Sequence, residues 1–144
     1  MRVVLQRVSQ ASVSVDGEII GEIGKGLLAL VGVGHGDTED DAKWLANKTI
    51  GLRIFQDNEN KMNRSLVDVD GSILVISQFT LLGDCRKGRR PAFTDAAPPE
   101  LARQLYRRYA QFISDQGVNT QLGKFAADMK VSLVNDGPVT MILD

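Results

Sequence analysis

The sequence predicts an α+β fold, a mostly β single domain over residues 1–144, in which mixed or antiparallel sheets form a barrel-like core with two main helices. Three observations predict it. Short apolar runs are rich in β-branched residues, Asp-Gly dipeptides separate alternating segments, and only two stretches have helical periodicity. A chain of 144 residues is long enough for one domain with a real core.

Alternation and turn residues predict most of the strands. Residues 12–15 alternate strictly, and Asp16-Gly17 is a typical hairpin turn that returns the chain into residues 18–23. The continuous apolar run 26–33 is typical of a central strand buried on both faces. A second hairpin is expected to join residues 66–69, through Asp70-Gly71, to a buried strand over residues 73–82. Further strands are expected at residues 3–8, 52–55, 129–133 and 139–143.

Two segments predict helices. Asp37 or Thr38 can cap the first, acidic residues fill its first turn, and Gly51 is expected to end it. Pro98-Pro99 opens the second and longer helix, because proline is tolerated where the first N–H groups have no intrahelical acceptor.

Composition restricts the possible partners. Lys and Arg total 17 and Asp and Glu total 18, so nucleic-acid binding would need a local basic patch. The single cysteine, Cys85, excludes an internal disulfide and fits a reducing compartment. The first residues do not resemble a signal peptide, and no apolar run is long enough to span a membrane. We therefore expect a cytoplasmic protein with no membrane partner.

A polar island interrupts the apolar run 73–82. Ser77, Gln78 and Thr80 flank Phe79 there, and buried hydroxyls and amides cost stability unless they are hydrogen-bonded or used. These four residues therefore either line a pocket that binds a substrate, or simply make hydrogen bonds to neighbouring backbone groups. Thr80 as a nucleophile would need an activating base.

No such base is evident from the sequence. The only histidine, His35, lies in a distant glycine-rich segment, and no Ser-His-Asp or Cys-His order is present. No metal-ligand spacing is present either, so we expect no metal and no cofactor.

Two further segments are candidates for binding. Arg86, Lys87, Arg89 and Arg90 form a basic loop after the apolar run, which suits phosphate contacts but is also compatible with a solvated loop. The segment at Gly137-Pro138 is compatible with a common turn, or with a cis bond whose carbonyl groups point into a pocket.

Two motifs resemble the signatures of the D-aminoacyl-tRNA deacylases. They are Ser77-Gln78-Phe79-Thr80-Leu81, the first motif, and Asn135-Asp136-Gly137-Pro138-Val139-Thr140, the second motif. The opening Arg2-Val3-Val4-Leu5-Gln6-Arg7-Val8 and the segment Lys87-Gly88-Arg89-Arg90-Pro91 agree with that family as well, so the resemblance covers the whole chain.

The resemblance implies an activity and an assembly. The family hydrolyses the ester that joins a D-amino acid to tRNA, and also removes glycine mischarged onto alanine tRNA. It acts as a homodimer whose active site lies at the subunit interface. There, Gly137 and Pro138, joined by a cis bond, would reject L-amino acids, while Ser77, Gln78, Phe79 and Thr80 would line the partner's pocket.

Several alternatives remain at this point. Hydrolysis could be assisted by the 2′-hydroxyl of the tRNA with backbone N–H groups near Phe79 as oxyanion donors, or could use Thr80 as a covalent nucleophile. A non-catalytic tRNA-binding or RNA-binding module would use the same basic loop. A small-molecule esterase would not need tRNA.

Overall fold

The structure is a computed structural model that describes residues 1–144. Its strands are β1 (Arg2–Val15), β2 (Glu18–Ile23), β3 (Gly26–Gly32), β4 (Phe55–Gln56), β5 (Met62–Arg64), β6 (Ser72–Ser77), β7 (Asn119–Leu122) and β8 (Lys130–Leu143). Its helices are α1 (Glu39–Gly51), α2 (Pro99–Ser114) and a one-turn 3-10 helix, Phe79–Leu82. Neither α-helix is long and apolar enough to cross a membrane.

One mixed sheet of six strands dominates the fold. Its order is β2-β1-β3-β6-β7, and β8 pairs with the other edge of β1. β1 is antiparallel to β2, β3 and β8, whereas β6 is parallel to β3 and β7. Gly21 of β2 approaches Leu122 of β7 so closely that a Cβ would lie 3.1 Å from its carbonyl oxygen. The outer strands therefore nearly close the sheet, which confirms the predicted barrel-like core.

The central strands bury both of their faces. Leu27 and Ile73 belong to a cluster of 18 buried residues between the sheet and the two helices. Their chain neighbours Leu28 and Leu74 point to the opposite face, into a second cluster of seven residues inside the barrel. The prediction of a central strand buried on both faces is confirmed for β3.

Both predicted helices are present with the expected starts. Thr38 is the N-cap of α1, and its backbone N–H donates to the Asp41 carboxylate at 2.8 Å. Proline occupies the first turn of α2. Buried Tyr109 of α2 makes a 2.8 Å hydrogen bond to Thr49 of α1, which joins the two helices.

The predicted second hairpin is wrong. Residues 66–69 form turns rather than a strand, because Ser65 and Asp68 hydrogen-bond to each other's backbone N–H groups at 2.9 and 3.2 Å. Both edges of β6 are instead occupied by parallel partners, β3 and β7. Parallel neighbours need long crossovers, which α1 and α2 provide here.

The predicted strand over residues 73–82 is too long. The strand ends at Ser77, because its neighbour β3 ends at Gly32 and offers no further partner. The chain then turns at Gln78 into the 3-10 helix Phe79–Leu82. Thr80 consequently lies on a helical turn at the mouth of the sheet, not inside a buried strand.

Other strand boundaries also differ from the predictions. Residues 3–8 and 12–15 are one strand, β1, and residues 129–133 and 139–143 are joined within β8. Each merger occurs because the long strands β1 and β8 pair with each other and absorb irregular segments as shifts of register. The strand expected at residues 52–55 is reduced to β4, and β7 was not predicted, since its sequence is polar.

Candidate active site

An apolar cavity of about 500 Å³ opens beside the end of β6. Twelve of its 16 lining residues are hydrophobic. Three members of the first motif line it, Ser77, Gln78 and Phe79, together with residues from β3, the start of α2 and the segment that runs into the first residues of β8. Thr80 is not among the lining residues. The cavity is therefore a slot for an uncharged group with one polar wall.

The first motif leaves two backbone donors free. The N–H of Gln78 makes the last sheet bond, to Val31 at 2.8 Å, and the 3-10 helix begins directly after it. The N–H groups of Phe79 and Thr80 open that helix, so no preceding turn of the helix supplies them with a carbonyl acceptor. Two adjacent donors beside the cavity, the first of them on the lining residue Phe79, are suited to stabilise an oxygen that gains negative charge.

Thr80 has no base beside it. Its hydroxyl accepts a hydrogen bond from the side-chain amide of Gln78, which cannot remove a proton. His35 lies elsewhere, with Nε2 2.9 Å from the carbonyl oxygen of Thr94. Asp128 is the one ionisable residue that lines the cavity, and it forms a 3.2 Å ion pair with Lys130.

No metal site is apparent from the side chains. No group of three or more His, Cys, Asp or Glu residues lies together to hold an ion.

The buried side chain of Arg7 supports the backbone of the second motif. This side chain is only 5% exposed, and its guanidinium donates to the carbonyl oxygens of Asp136 at 3.0 Å and Ile54 at 2.8 Å. With its nitrogen turned towards them, the Asn135 amide donates to the carbonyl oxygens of Arg7 and Val139 at 3.0 and 3.1 Å. The backbone of the second motif is thus fastened at both ends.

Gly137 has no room for a side chain. Its φ of +128° is unfavourable for other residues, and a Cβ would lie 2.8 Å from the Arg7 guanidinium and 3.1 Å from the Val139 nitrogen. The bond from Gly137 to Pro138 is cis, and both residues are exposed on the chain surface. The second motif therefore exposes its backbone at the surface, while the hydrogen bonds of Arg7 and Asn135 hold it in place.

The two motifs do not meet within one chain. β6 and β8 are separated by β3 and β1, and three strand spacings of about 4.8 Å amount to roughly 14 Å. Gly137 and Pro138 are absent from the cavity lining. Gly137 and Pro138 therefore do not contribute to the cavity of their own chain.

The basic loop is attached next to the first motif. Asp84 and Ala92 close its base with backbone hydrogen bonds of 2.7 and 3.0 Å, and the ring of Phe93 packs edge-on against Phe79 with centroids 5.2 Å apart. The charge of Arg86 is compensated, because its guanidinium binds both oxygens of Asp84 at 2.9 and 2.7 Å. These bonds lower the pKa of the Asp84 carboxyl.

The other three cations of the loop are free. Lys87, Arg89 and Arg90 are exposed and form no ion pair. Of the four predicted tRNA-binding residues, these three are available to phosphate, whereas Arg86 is occupied.

Sequence reasoning missed three residues that shape this region. Arg7 follows Val3 and Leu5 on the inward-facing register of β1, where a cation must have partners, and this register is the signal that could have identified it. Asn135 was treated only as a member of the motif. Phe125, which lines the cavity, lies in a segment whose pattern gave no signal.

Comparison with known proteins connects these features to a family. A family model described as D-Tyr-tRNA(Tyr) deacylase matches residues 4–144. A D-aminoacyl-tRNA deacylase of Rhodopirellula baltica is 60% identical over 144 residues, which is 100% of this chain and 99% of the relative. One from Geobacter sulfurreducens is 59% identical over 100% of this chain and 95% of the relative.

Solved structures agree with the fold. A structure described as the c-Myc DNA unwinding element binding protein has a TM-score of 0.93 and 38% identity, and the match covers 100% of this chain and 98% of that one. A probable eukaryotic D-amino acid tRNA deacylase has a TM-score of 0.83 at 19% identity, with 99% and 97% covered, and it shows the fold alone. The prediction made from the two motifs is confirmed: this chain belongs to the D-Tyr-tRNA(Tyr) deacylase family.

Proposed function

We propose that this chain hydrolyses the ester bond between a D-amino acid and the 3′ end of tRNA. The observation that carries the proposal is the pair of free N–H groups, on Phe79 and Thr80, beside an apolar cavity in a chain of this family. The ester carbonyl would lie against these donors, which would stabilise the oxyanion of the tetrahedral intermediate.

Water is the nucleophile in this proposal. An aminoacyl ester is already activated, and the vicinal 2′-hydroxyl of the terminal adenosine lies close enough to assist proton transfer. Thr80 has no base, and its hydroxyl accepts from Gln78, so the geometry favours RNA-assisted attack by water over a covalent threonyl intermediate. Ser77, Gln78 and Phe79 would line the pocket around the reacting group.

Chirality would be read by backbone atoms of a second copy of the chain. In a homodimer, Gly137 and Pro138 of one subunit would enter the pocket of the other, where an L side chain would collide with them. Arg7 and Asn135 support this role. Hydrogen bonds from a buried guanidinium and a bridging amide hold the backbone of the second motif, so it would resist displacement by an L side chain. Glycine has no side chain to collide, so glycine mischarged onto alanine tRNA would also be cleaved.

Exposed apolar groups around both motifs support the dimer. Phe79 is 54% exposed, and Ile142, two residues after the second motif, is 66% exposed. β8 is also an edge strand, paired with β1 only. A second copy would cover these groups and place the active site at the subunit interface.

The basic loop would hold the tRNA backbone. Lys87, Arg89 and Arg90 are the free cations, and the contact of Phe93 with Phe79 places the loop next to the pocket. Arg86 would contribute mainly by shaping the loop. Residues 1–144 would act as one domain in the cytoplasm, where removal of D-residues recycles tRNA and protects the homochirality of translation.

Side-by-side deacylation of D-tyrosyl-tRNA and L-tyrosyl-tRNA by the purified protein tests the proposal. We expect rapid loss of the D-ester alone. Cleavage of neither ester, with tRNA still bound in a salt-sensitive way, would favour a non-catalytic RNA-binding module. Cleavage of simple esters without tRNA would favour a small-molecule esterase.

A further inference from the structure

The cation Arg103 lies beside the cavity on the side of α2. The guanidinium of Arg103 lies over the ring of Phe125, with its carbon 5.1 Å from the ring centroid. Phe125 lines the cavity, as does Ala102, the residue before Arg103 in α2. The Phe125 ring therefore contributes to the cavity wall and also contacts the positively charged guanidinium of Arg103.

The charge on Arg103 is available to a ligand. Its side chain is 46% exposed, and its one ion pair, with Glu100, is long at 4.0 Å to a carboxylate that is 96% exposed. A pair of that kind contributes little and is easily exchanged. Stacking on Phe125 already restricts the Arg103 side chain in the absence of a ligand. Less conformational entropy of this side chain is therefore lost when a ligand binds.

The cavity itself cannot take a phosphate. Its lining is mostly hydrophobic, and its one ionisable residue, Asp128, is an anion. A nucleoside that enters this slot must leave its 5′-phosphate outside, at the mouth. Near that mouth, Arg103 and Lys130 are cationic while Glu100 and Asp128 are anionic, and Lys130 is already paired with Asp128 at 3.2 Å.

We propose that Arg103 binds the phosphodiester that joins the last two nucleotides of the tRNA 3′ end. The inference rests on the proposed function and adds to it that the terminal nucleoside occupies the cavity beside the reacting ester. It adds a second cationic contact on a different element, because the basic loop connects to the cavity through Phe79 and Phe93, whereas Arg103 connects through Phe125. The two contacts would hold the 3′ end from two sides of the pocket.

Two short substrates separate phosphate binding from pocket shape. D-tyrosyl-adenosine contains no phosphate, whereas the D-tyrosyl ester of the dinucleotide CpA contains the one in question. We expect Arg103→Ala to lower kcat/KM on the dinucleotide about fivefold and to leave the adenosine ester unchanged. The slope of log kcat/KM against log salt should fall by about 0.7 on the dinucleotide, the value for one phosphate of a single strand.

Two further variants serve as controls. Arg103→Lys keeps the charge but not the planar group stacked on Phe125, and should restore part of the activity on the dinucleotide. Lys43→Ala removes an exposed cation from α1 and should change neither substrate, which corrects for loss of net charge alone.

The outcomes are distinguishable. Equal losses on both substrates would mean that Arg103 acts only through the position of Phe125, and the inference would be wrong. No loss on either substrate would also overturn it while leaving the proposed function intact. If the wild-type protein cleaved neither these substrates nor D-tyrosyl-tRNA, the proposed function itself would fail.

Discussion

The first and second motifs are built in opposite ways. Residues 77–81 leave a sheet at its end, carry a half-exposed phenylalanine and begin a helical turn whose first two N–H groups have no acceptor within that turn. Residues 135–140 lie inside the longest strand pairing of the fold and are fastened by a buried guanidinium and a bridging amide. The difference suits the two tasks proposed for these motifs, because a group that stabilises a transition state needs free donors whereas a group that excludes a stereoisomer must not move.

The largest effect should come from removing a donor of the first motif. Phe79→Pro deletes one N–H at the start of a helical turn, where proline is tolerated, together with the ring that lines the cavity and contacts Phe93, and should lower kcat by about 10²–10³. Thr80→Ala is the matched neighbour and should keep kcat within about threefold, since no base activates its hydroxyl. Single-turnover deacylation of D-tyrosyl-tRNA measures both. A loss of several orders of magnitude in Thr80→Ala, with tRNA binding intact, would restore the covalent mechanism.

A side chain at Gly137 should damage the second motif next most severely. Gly137→Ala combines a positive φ with contacts at 2.8 and 3.1 Å, so the backbone must shift, and we expect kcat/KM to fall by about 100-fold. Gly17→Ala is the control, because Gly17 has φ +81° but nothing within 4 Å of its Cβ. If Gly137→Ala kept as much activity as Gly17→Ala, the second motif would tolerate displacement and the prediction would be wrong.

Removing the support of the second motif should weaken both stability and selectivity. Arg7→Met leaves the carbonyl oxygens of Asp136 and Ile54 without their donor, which should lower the free energy of unfolding by about 2–4 kcal/mol. We also expect L-tyrosyl-tRNA to be cleaved more readily relative to the D-ester. Arg53→Ala, which removes an exposed arginine bonded to Asn63, is the control for denaturant unfolding and for the D/L ratio. If Arg7→Met left the ratio of D-ester to L-ester cleavage unchanged, the second motif would not need the support of Arg7 for chiral selection.

The smallest effects should come from the basic loop, and they should be unequal. Lys87→Ala or Arg89→Ala should each weaken tRNA binding by a few fold and reduce the salt dependence, whereas Arg86→Ala should do less because Asp84 already compensates its charge. The lowered pKa of Asp84 keeps this pair intact at neutral pH. The pair is lost only as pH falls through that lowered value, below the ordinary 3.8.

Asp84→Asn offers the converse test of the loop. It should free Arg86 and strengthen tRNA binding at neutral pH, measured by filter binding at several salt concentrations. If Arg86→Ala and Lys87→Ala weakened tRNA binding equally, the prediction that Arg86 contributes less than Lys87 would be wrong.

Local chemistry explains which elements were predictable. The turn at Asp16-Gly17, the cap at Thr38 and the prolines that open α2 act within a few residues, so their signals are present in the sequence and the structure confirms them. The family and its hydrolase activity class were likewise readable from the two motifs. The wrong hairpin at residues 66–69 shows the limit, because its alternation fitted a strand while Ser65 and Asp68 closed a turn.

Only the folded chain decides where the motifs lie. The order of residues identifies the first motif, the second motif and the basic loop, since each is a contiguous stretch with its own chemistry. Their separation by two intervening strands, the support of Asp136 by Arg7 across 129 positions, and the stacking of Arg103 on Phe125 depend on which strand edges and helix faces remain free after pairing. Such long-range choices are made by packing and hydrogen bonding of the whole sheet, and no short window of sequence contains them.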